Sequence, residues 1–418
     1  MTIAKGYRPF LILAPLHLAA WGVLEVLNAA YGQEVVPWDA QLWLLLTGFV
    51  GFYILGFLLH LAPTLLRRAL PSRLPPLLLF GMAESGVLLG TVGQIGYPVG
   101  FVLGTVLWAV SIAVLAFALF LSLRGPPRSG PAVRKVAETV VVPLVLASVL
   151  FNLAASLEWC VAALWPSTYD APGFGLWVGG VHLFVLGQVL LLIIGVSYYL
   201  IPRALGSDVP SWLARVLPAL SISGAALIGG GMVLLPTSNP VWLALAALPE
   251  AAAGLLYFAG VFLLVLRATT WKPTAVLFLA SPAFLLVGGA MGLAMAGSGH
   301  FRYLEAHALT NLFGFAGTMI MAMAFSMLAP FQYLSHTWTI RVLRVELGLL
   351  TLAVILAFLR DAEASPFVPG TTALLGATMM VAGALVVAGV IPVLYYEPKG
   401  ALTTGMAKLK VSPPMGKH

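Results

Sequence analysis

The chain has 418 residues, of which 61% are hydrophobic and 8% charged, with a formal net charge of +7. A soluble domain carries about 25% charged residues, so this composition excludes a water-soluble globular protein, which has to show water a polar surface whatever its core. The single cysteine, Cys160, excludes an intrachain disulfide, a four-cysteine iron–sulfur cluster and CxxCH haem attachment.

A hydrocarbon layer of ~30 Å takes about 20 helical residues. Read against that length, the apolar stretches predict spans at about 9–30, 41–64, 75–96, 99–123, 138–164 and 175–201. Six more follow at about 212–235, 241–267, 273–297, 303–330, 342–359 and 370–396. The first span begins close to Met1 without a small-residue cleavage site, and so reads as a retained helix. No recurring alternation of apolar and polar residues suggests a membrane β-barrel.

Charge sets the orientation, because loops on the cytoplasmic side are rich in Lys and Arg. With the N-terminus cytoplasmic, the inner segments hold all but two of the 21 Lys and Arg residues, and only Arg302 and Arg360 fall outside. The outer loops carry Glu34, Asp39, Asp170, Asp361 and Glu363. The expected protein is therefore an all-α, polytopic bundle of about twelve transmembrane helices in the inner (cytoplasmic) membrane, both termini cytoplasmic. Residues 1–396 read as one transmembrane domain and 397–418 as a disordered cytoplasmic tail. The basic patches of such a surface face anionic lipid; no nucleic-acid partner is expected.

A spacing recurs within the chain. Gly48, Gly56 and Pro63 in the second span repeat as Gly187, Gly195 and Pro202 in the sixth, both G-x7-G-x6-P. The tenth gives a looser copy in Gly314, Ala322 and Pro330. Glycines at this spacing share a helix face and admit a close neighbour or a flat cofactor. Recurrence at every fourth helix predicts a threefold-repeated bundle, against the plainer reading of ordinary small-residue packing.

Ionisable groups inside a bilayer are costly and raise a functional hypothesis. Four histidines fall within spans: His17, His60, His182 and His307. His182 and His307 lie one to two turns in from the outer face and are expected to approach each other. His17 and His60 both fall toward the inner side. Two pairs at two depths suit two metal or haem sites; the alternative is four histidines that only hydrogen-bond between helices. Glu25, Glu84, Glu158 and Glu250 are expected either to form a proton path, to answer a histidine, or to sit protonated against neighbouring helices. Glu305 reads as a solvated carboxylate near the outer interface. Arg302 and Arg360 read as loop residues, or as partners for propionates.

The sixth span, VHLFVLGQVLLLIIGVSYYLIPR, and the tenth, AHALTNLFGFAGTMIMAMAFSMLAP, resemble the haem-bearing helices of the haem–copper oxidase subunit I superfamily. The likeness is strongest to C-type cytochrome c oxidases, nitric oxide reductases and NnrS proteins of nitric oxide metabolism. The opening YRPFLILAPLHLAAW and the HALT of His307–Thr310 are similar to NnrS in particular. The resemblance implies the pseudo-threefold, twelve-helix arrangement of oxidase subunit I. It also implies haem of unspecified type, with His307 and His182 as metal ligands and His17 and His60 as further cofactor-binding candidates. Nitric oxide or oxygen would be the small gaseous ligand, and a cytochrome or other respiratory subunit the partner.

The departures are specific. The low-spin haem ligand that opens the second span in that superfamily is replaced by Trp43. Leu309 stands where helix 10 would have its second histidine, and the seventh span lacks the adjacent histidine pair of the copper site. A complete three-histidine copper site is therefore not expected. The function so implied is a haem-binding membrane protein in nitric oxide handling or respiratory electron transfer, with oxidoreductase activity undecided. The alternatives are a haem-free transporter and a degenerate assembly or structural subunit.

Overall fold

In a computed structural model, residues 6–65, 68, 70, 76–125, 135–165, 172–234, 240–269, 274–327, 336–362 and 369–395 are described. The expected tail at 397–418 lies outside them. Among the described residues there is no strand, and twelve helices are long and apolar enough to cross a membrane. They are α1 (Arg8–Tyr31), α2 (Trp38–Pro63), α3 (Pro76–Gly96), α4 (Pro98–Arg124), α5 (Val140–Leu164) and α6 (Gly175–Leu205). The second half comprises α7 (Ser211–Val233), α8 (Val241–Leu266), α9 (Thr274–Ser298), α10 (Leu304–Ala324), α11 (Ile340–Ala362) and α12 (Pro369–Val387). The protein is a polytopic all-α membrane bundle. The end of the bundle that holds Arg68, Arg124, Arg203 and Arg267 is the basic end, and the acidic end lies opposite.

Burial separates the helices into two classes. Over their most apolar stretches α2, α6 and α10 are 100, 83 and 89% buried, whereas the other nine are 33 to 50% buried. The three buried helices touch one another at the centre, and the rest surround them in the order α1, α3, α4, α5, α7, α8, α9, α11 and α12, with α12 closing on α1. Each central helix is the second of four consecutive helices, as the recurring spacing predicts. Half-buried outer helices leave an apolar face for lipid, which is where Leu88, Val106, Phe117 and Leu150 lie exposed.

Small residues fix the closest contacts, since apolar side chains gain little by leaving lipid for a neighbouring helix. Between α3 and α4, Gly104 lies against Gly86 and Gly90, and Gly100 lies against Gly93. A Cβ on Gly104 would lie 2.3 Å from the Gly90 nitrogen, and one on Gly93 would lie 1.9 Å from that of Phe101. On the other side of the bundle, Gly22 of α1 and Gly376 of α12 each face the other's carbonyl oxygen, where a Cβ would come within 2.5 Å.

Candidate functional site: intramembrane histidines around three widened turns

Each central helix contains one eight-residue segment of wide, i→i+5 hydrogen-bonded helix: Leu44–Gly51 in α2, Leu183–Leu190 in α6 and Thr310–Gly317 in α10. Such segments are rare and concentrate at functional sites. The repeat glycines Gly48, Gly187 and Gly314 each occupy the fifth position of their segment. Each faces a ring from the helix that opens its own group of four. A Cβ would come within 2.8 Å of His17 Cγ at Gly48, 2.5 Å of Phe151 Cγ at Gly187 and 2.6 Å of Phe284 Cγ at Gly314. The three glycines are therefore slots for rings, and His17 stands where the other two repeats place phenylalanine.

His17 is one member of a pair. Its Nε2 lies 3.3 Å from both Glu84 Oε1 and Glu84 Oε2 on α3, with Phe52 edge-on at 5.1 Å between ring centroids. Of the four intramembrane glutamates in the sequence reading, Glu84 is the one that answers a histidine. His60 instead packs on the Tyr7 ring at 4.5 Å. Because His17 sits level with Gly48, and His60 lies 60 − 48 = 12 residues further along α2, the two are separated by about 18 Å of helix rise at 1.5 Å per residue. The structure does not bring the inner histidines together. His17→Phe with Glu84→Leu, which copies the ring of Phe151 and Phe284 and removes both members of the pair, is expected to leave stability within about 1 kcal/mol of the parent, whereas His17→Ala opens a cavity costing about 3 kcal/mol. Thermal unfolding of the detergent-purified variants checks both.

The outer histidines sit at matching places: His182 immediately precedes the widened turn of α6, and His307 lies three residues before that of α10. Their geometries match. His182 Nδ1 is 2.8 Å from the Val178 carbonyl oxygen one turn back in α6, and His307 Nδ1 is 2.8 Å from the Gly288 carbonyl oxygen of α9. A carbonyl only accepts, so each Nδ1 carries the hydrogen and each neutral ring keeps its lone pair on Nε2. The His307 ring packs against α9 where residue 292 is glycine: a Cβ there would be 2.8 Å from His307 Cε1. Asn311 donates from Nδ2 to the His307 carbonyl at 2.9 Å, which fixes the first turn of α10. A ring anchored by Nδ1–H on a carbonyl with Nε2 bare is how a histidine is oriented to ligate a metal.

The group that the resemblance implies needs ring nitrogens with a free lone pair. His182 and His307 each offer such a nitrogen at Nε2. Trp43 does not. It precedes its widened turn by one residue, as His182 does, but an indole offers only an N–H, and that donates to the Val87 carbonyl at 3.2 Å. Its ring is packed by Phe101, Trp159 and Trp177 at centroid distances of 5.7, 5.2 and 6.2 Å. Among the described residues no group of three or more His, Cys, Asp or Glu side chains is placed to hold a metal ion.

At the acidic end the structure corrects two sequence readings. Arg360 is not in a loop: α11 runs to Ala362, and Arg360 is only 8% exposed. It donates to Glu25 of α1 at 3.0 Å and to Glu305 of α10. Glu305 is accordingly a half-buried ion-pair partner rather than a solvated carboxylate. The hydropathy window ended the span one residue short of Arg360 because a guanidinium raises its apparent polarity, and a sequence cannot show that two carboxylates neutralise it. The next residue, Asp361, accepts from the Ala306 N–H at 2.8 Å, and Arg302 donates to the carbonyls of Asp361 and Ala362. The turn just before His307 is thus clamped to α11, and through Arg360 to α1.

Other carboxyls stand alone. Glu250 of α8 packs against Gly224 of α7, and both its oxygens are buried without a hydrogen-bond partner. Glu158 of α5 lies against Gly179 with Oε2 unpartnered. Glu346 of α11, 1% exposed with Oε1 unpartnered, escaped the sequence reading. Its signal was helical spacing, since Leu343, Leu350, Ala353 and Ala357 lie on the same face and are all buried. Cys160, read as buried, is half-buried.

No protein-family model matches the chain, and no curated protein matches it.

Proposed function

We propose that this membrane protein holds a metal centre, haem iron in the first instance, on the His182 and His307 pair between α6 and α10. The observation that carries the reading is the matched geometry: two imidazoles ahead of the widened turns of α6 and α10, each with Nδ1 on a carbonyl oxygen and Nε2 bare. Bound haem would supply a site where a small gas such as nitric oxide or oxygen ligates iron, or a one-electron carrier. The chain's own residues hold the rings in place. Gly288 and Val178 fix the tautomers, Gly292 gives the His307 ring its room, and the Arg360 clamp sets the turn before it. Nitric oxide handling or respiratory electron transfer in the cytoplasmic membrane, with a cytochrome or other respiratory subunit as donor, is the role this reading favours.

The test is a visible spectrum, pyridine haemochrome and metal analysis on one detergent-purified sample. A Soret band with about one haem per chain is expected, and His307→Ala should abolish it while the His17→Phe, Glu84→Leu variant keeps it. Full haem content in His307→Ala would overturn the ligand assignment. A colourless protein, expressed with ample haem, would overturn the haem reading. Transport or an assembly role would then lead, a reading that the unpartnered Glu250 carboxyl favours.

A further inference from the structure

The symmetry that places His17 among phenylalanines also builds a cavity. Six residues after each repeat glycine, the three central helices carry the same side chain: Ile54, Ile193 and Ile320. One turn further on they differ, as Phe57, Val196 and Met323. These two rings, with leucine and valine beside them, line a void of about 20 Å3 at the centre of the bundle. All six side chains are nearly buried, between 3 and 6% exposed.

The size and lining of the void restrict what it holds. A void of this size has room for about one water molecule, but a buried water needs two to four polar partners. Every residue that lines this one is apolar. Water is therefore excluded on chemical grounds, and the charged or hydrogen-bonding solutes of a transport path are excluded with it. Val196 is the smallest member of the second ring, where the sister helices put Phe57 and Met323. Small nonpolar gases dissolve well in the surrounding hydrocarbon, and they match the void in both size and polarity.

We propose that the void is a binding site for a single small nonpolar gas molecule on the axis where the three repeats meet. The site is separate from the histidine pair and does not depend on a bound metal. Its probe is xenon, applied to the full-length protein in detergent and read by 129Xe NMR against protein-free micelles, with xenon-pressurised crystals to place the atom. The expected result is a saturable shift and one xenon between the isoleucine and second rings. Val196→Phe and Val196→Met, which copy Phe57 and Met323, should each abolish the saturable component and leave the micelle background unchanged. If the phenylalanine variant does not fold, the methionine variant decides. Xenon confined to the micelles, or a saturable signal equal in the parent and a folded Val196 variant, would overturn the proposal.

Discussion

Replacing Arg360 by alanine is expected to destabilise the bundle by about 3–5 kcal/mol, the cost of leaving a buried carboxylate without its counter-ion. Glu25 is 1% exposed and Arg360 is its ion-pair partner at 3.0 Å, so the orphaned group would have no water to turn to. The loss should be measurable as reduced resistance to thermal or denaturant unfolding in detergent. A double variant that removes both charges, Glu25→Leu with Arg360→Met, should recover most of it, because two well-packed apolar side chains often do as well as a buried pair. If the single variant unfolds like the parent, Arg360 must reach solvent, and the clamp on the α10 start is not closed. The same variant is expected to speed amide exchange at the beginning of α10, since Asp361 and its neighbours hold that turn through the Ala306 N–H.

The second large effect is steric. Gly104→Leu is expected to destabilise by about 3 kcal/mol or more, at the upper end of overpacking costs. A Cβ at this position would lie 2.3 Å from the Gly90 nitrogen and 2.9 Å from the Gly86 oxygen. These are backbone atoms, so the clash cannot be relieved by a rotamer change and α3 must move away from α4. Gly81→Ala is the control: its Cβ would meet nothing within 4 Å, and loss of a mid-helix glycine should be neutral or favourable by about 0.5–1 kcal/mol. Equal melting of the two variants would contradict the close approach of α3 and α4.

Much of this architecture could be read from the chain because the bilayer sets a length and a charge rule. Apolar runs near twenty residues located the helices, and the recurring glycine spacing pointed to a threefold repeat without saying that its three helices are the central ones. The widened turns were not legible, since nothing in the spacing of Gly48, Gly187 and Gly314 distinguishes an i→i+5 helix from an ordinary one. The histidines divide in the same way. His182 and His307 enter from one face, and counting residues sufficed to set them near the start of their widened turns. His17 and His60 lie on antiparallel neighbours, where depth depends on the exact register, and that is set by which ring fills the Gly48 slot. Arg360 was misplaced because hydropathy scores a side chain without its partners.

The contact between α12 and α1 gives the bundle no seam. Gly22 and Gly376 meet backbone to backbone, and a Cβ on Gly383 would lie 2.6 Å from the Pro15 carbonyl oxygen, so the first and last helices are neighbours as intimate as α3 and α4. The order in which the helices are strung together is then separable from the way they pack. A circular permutant that joins the present ends and opens the chain ahead of α5, between two groups of four, should assemble the same ring.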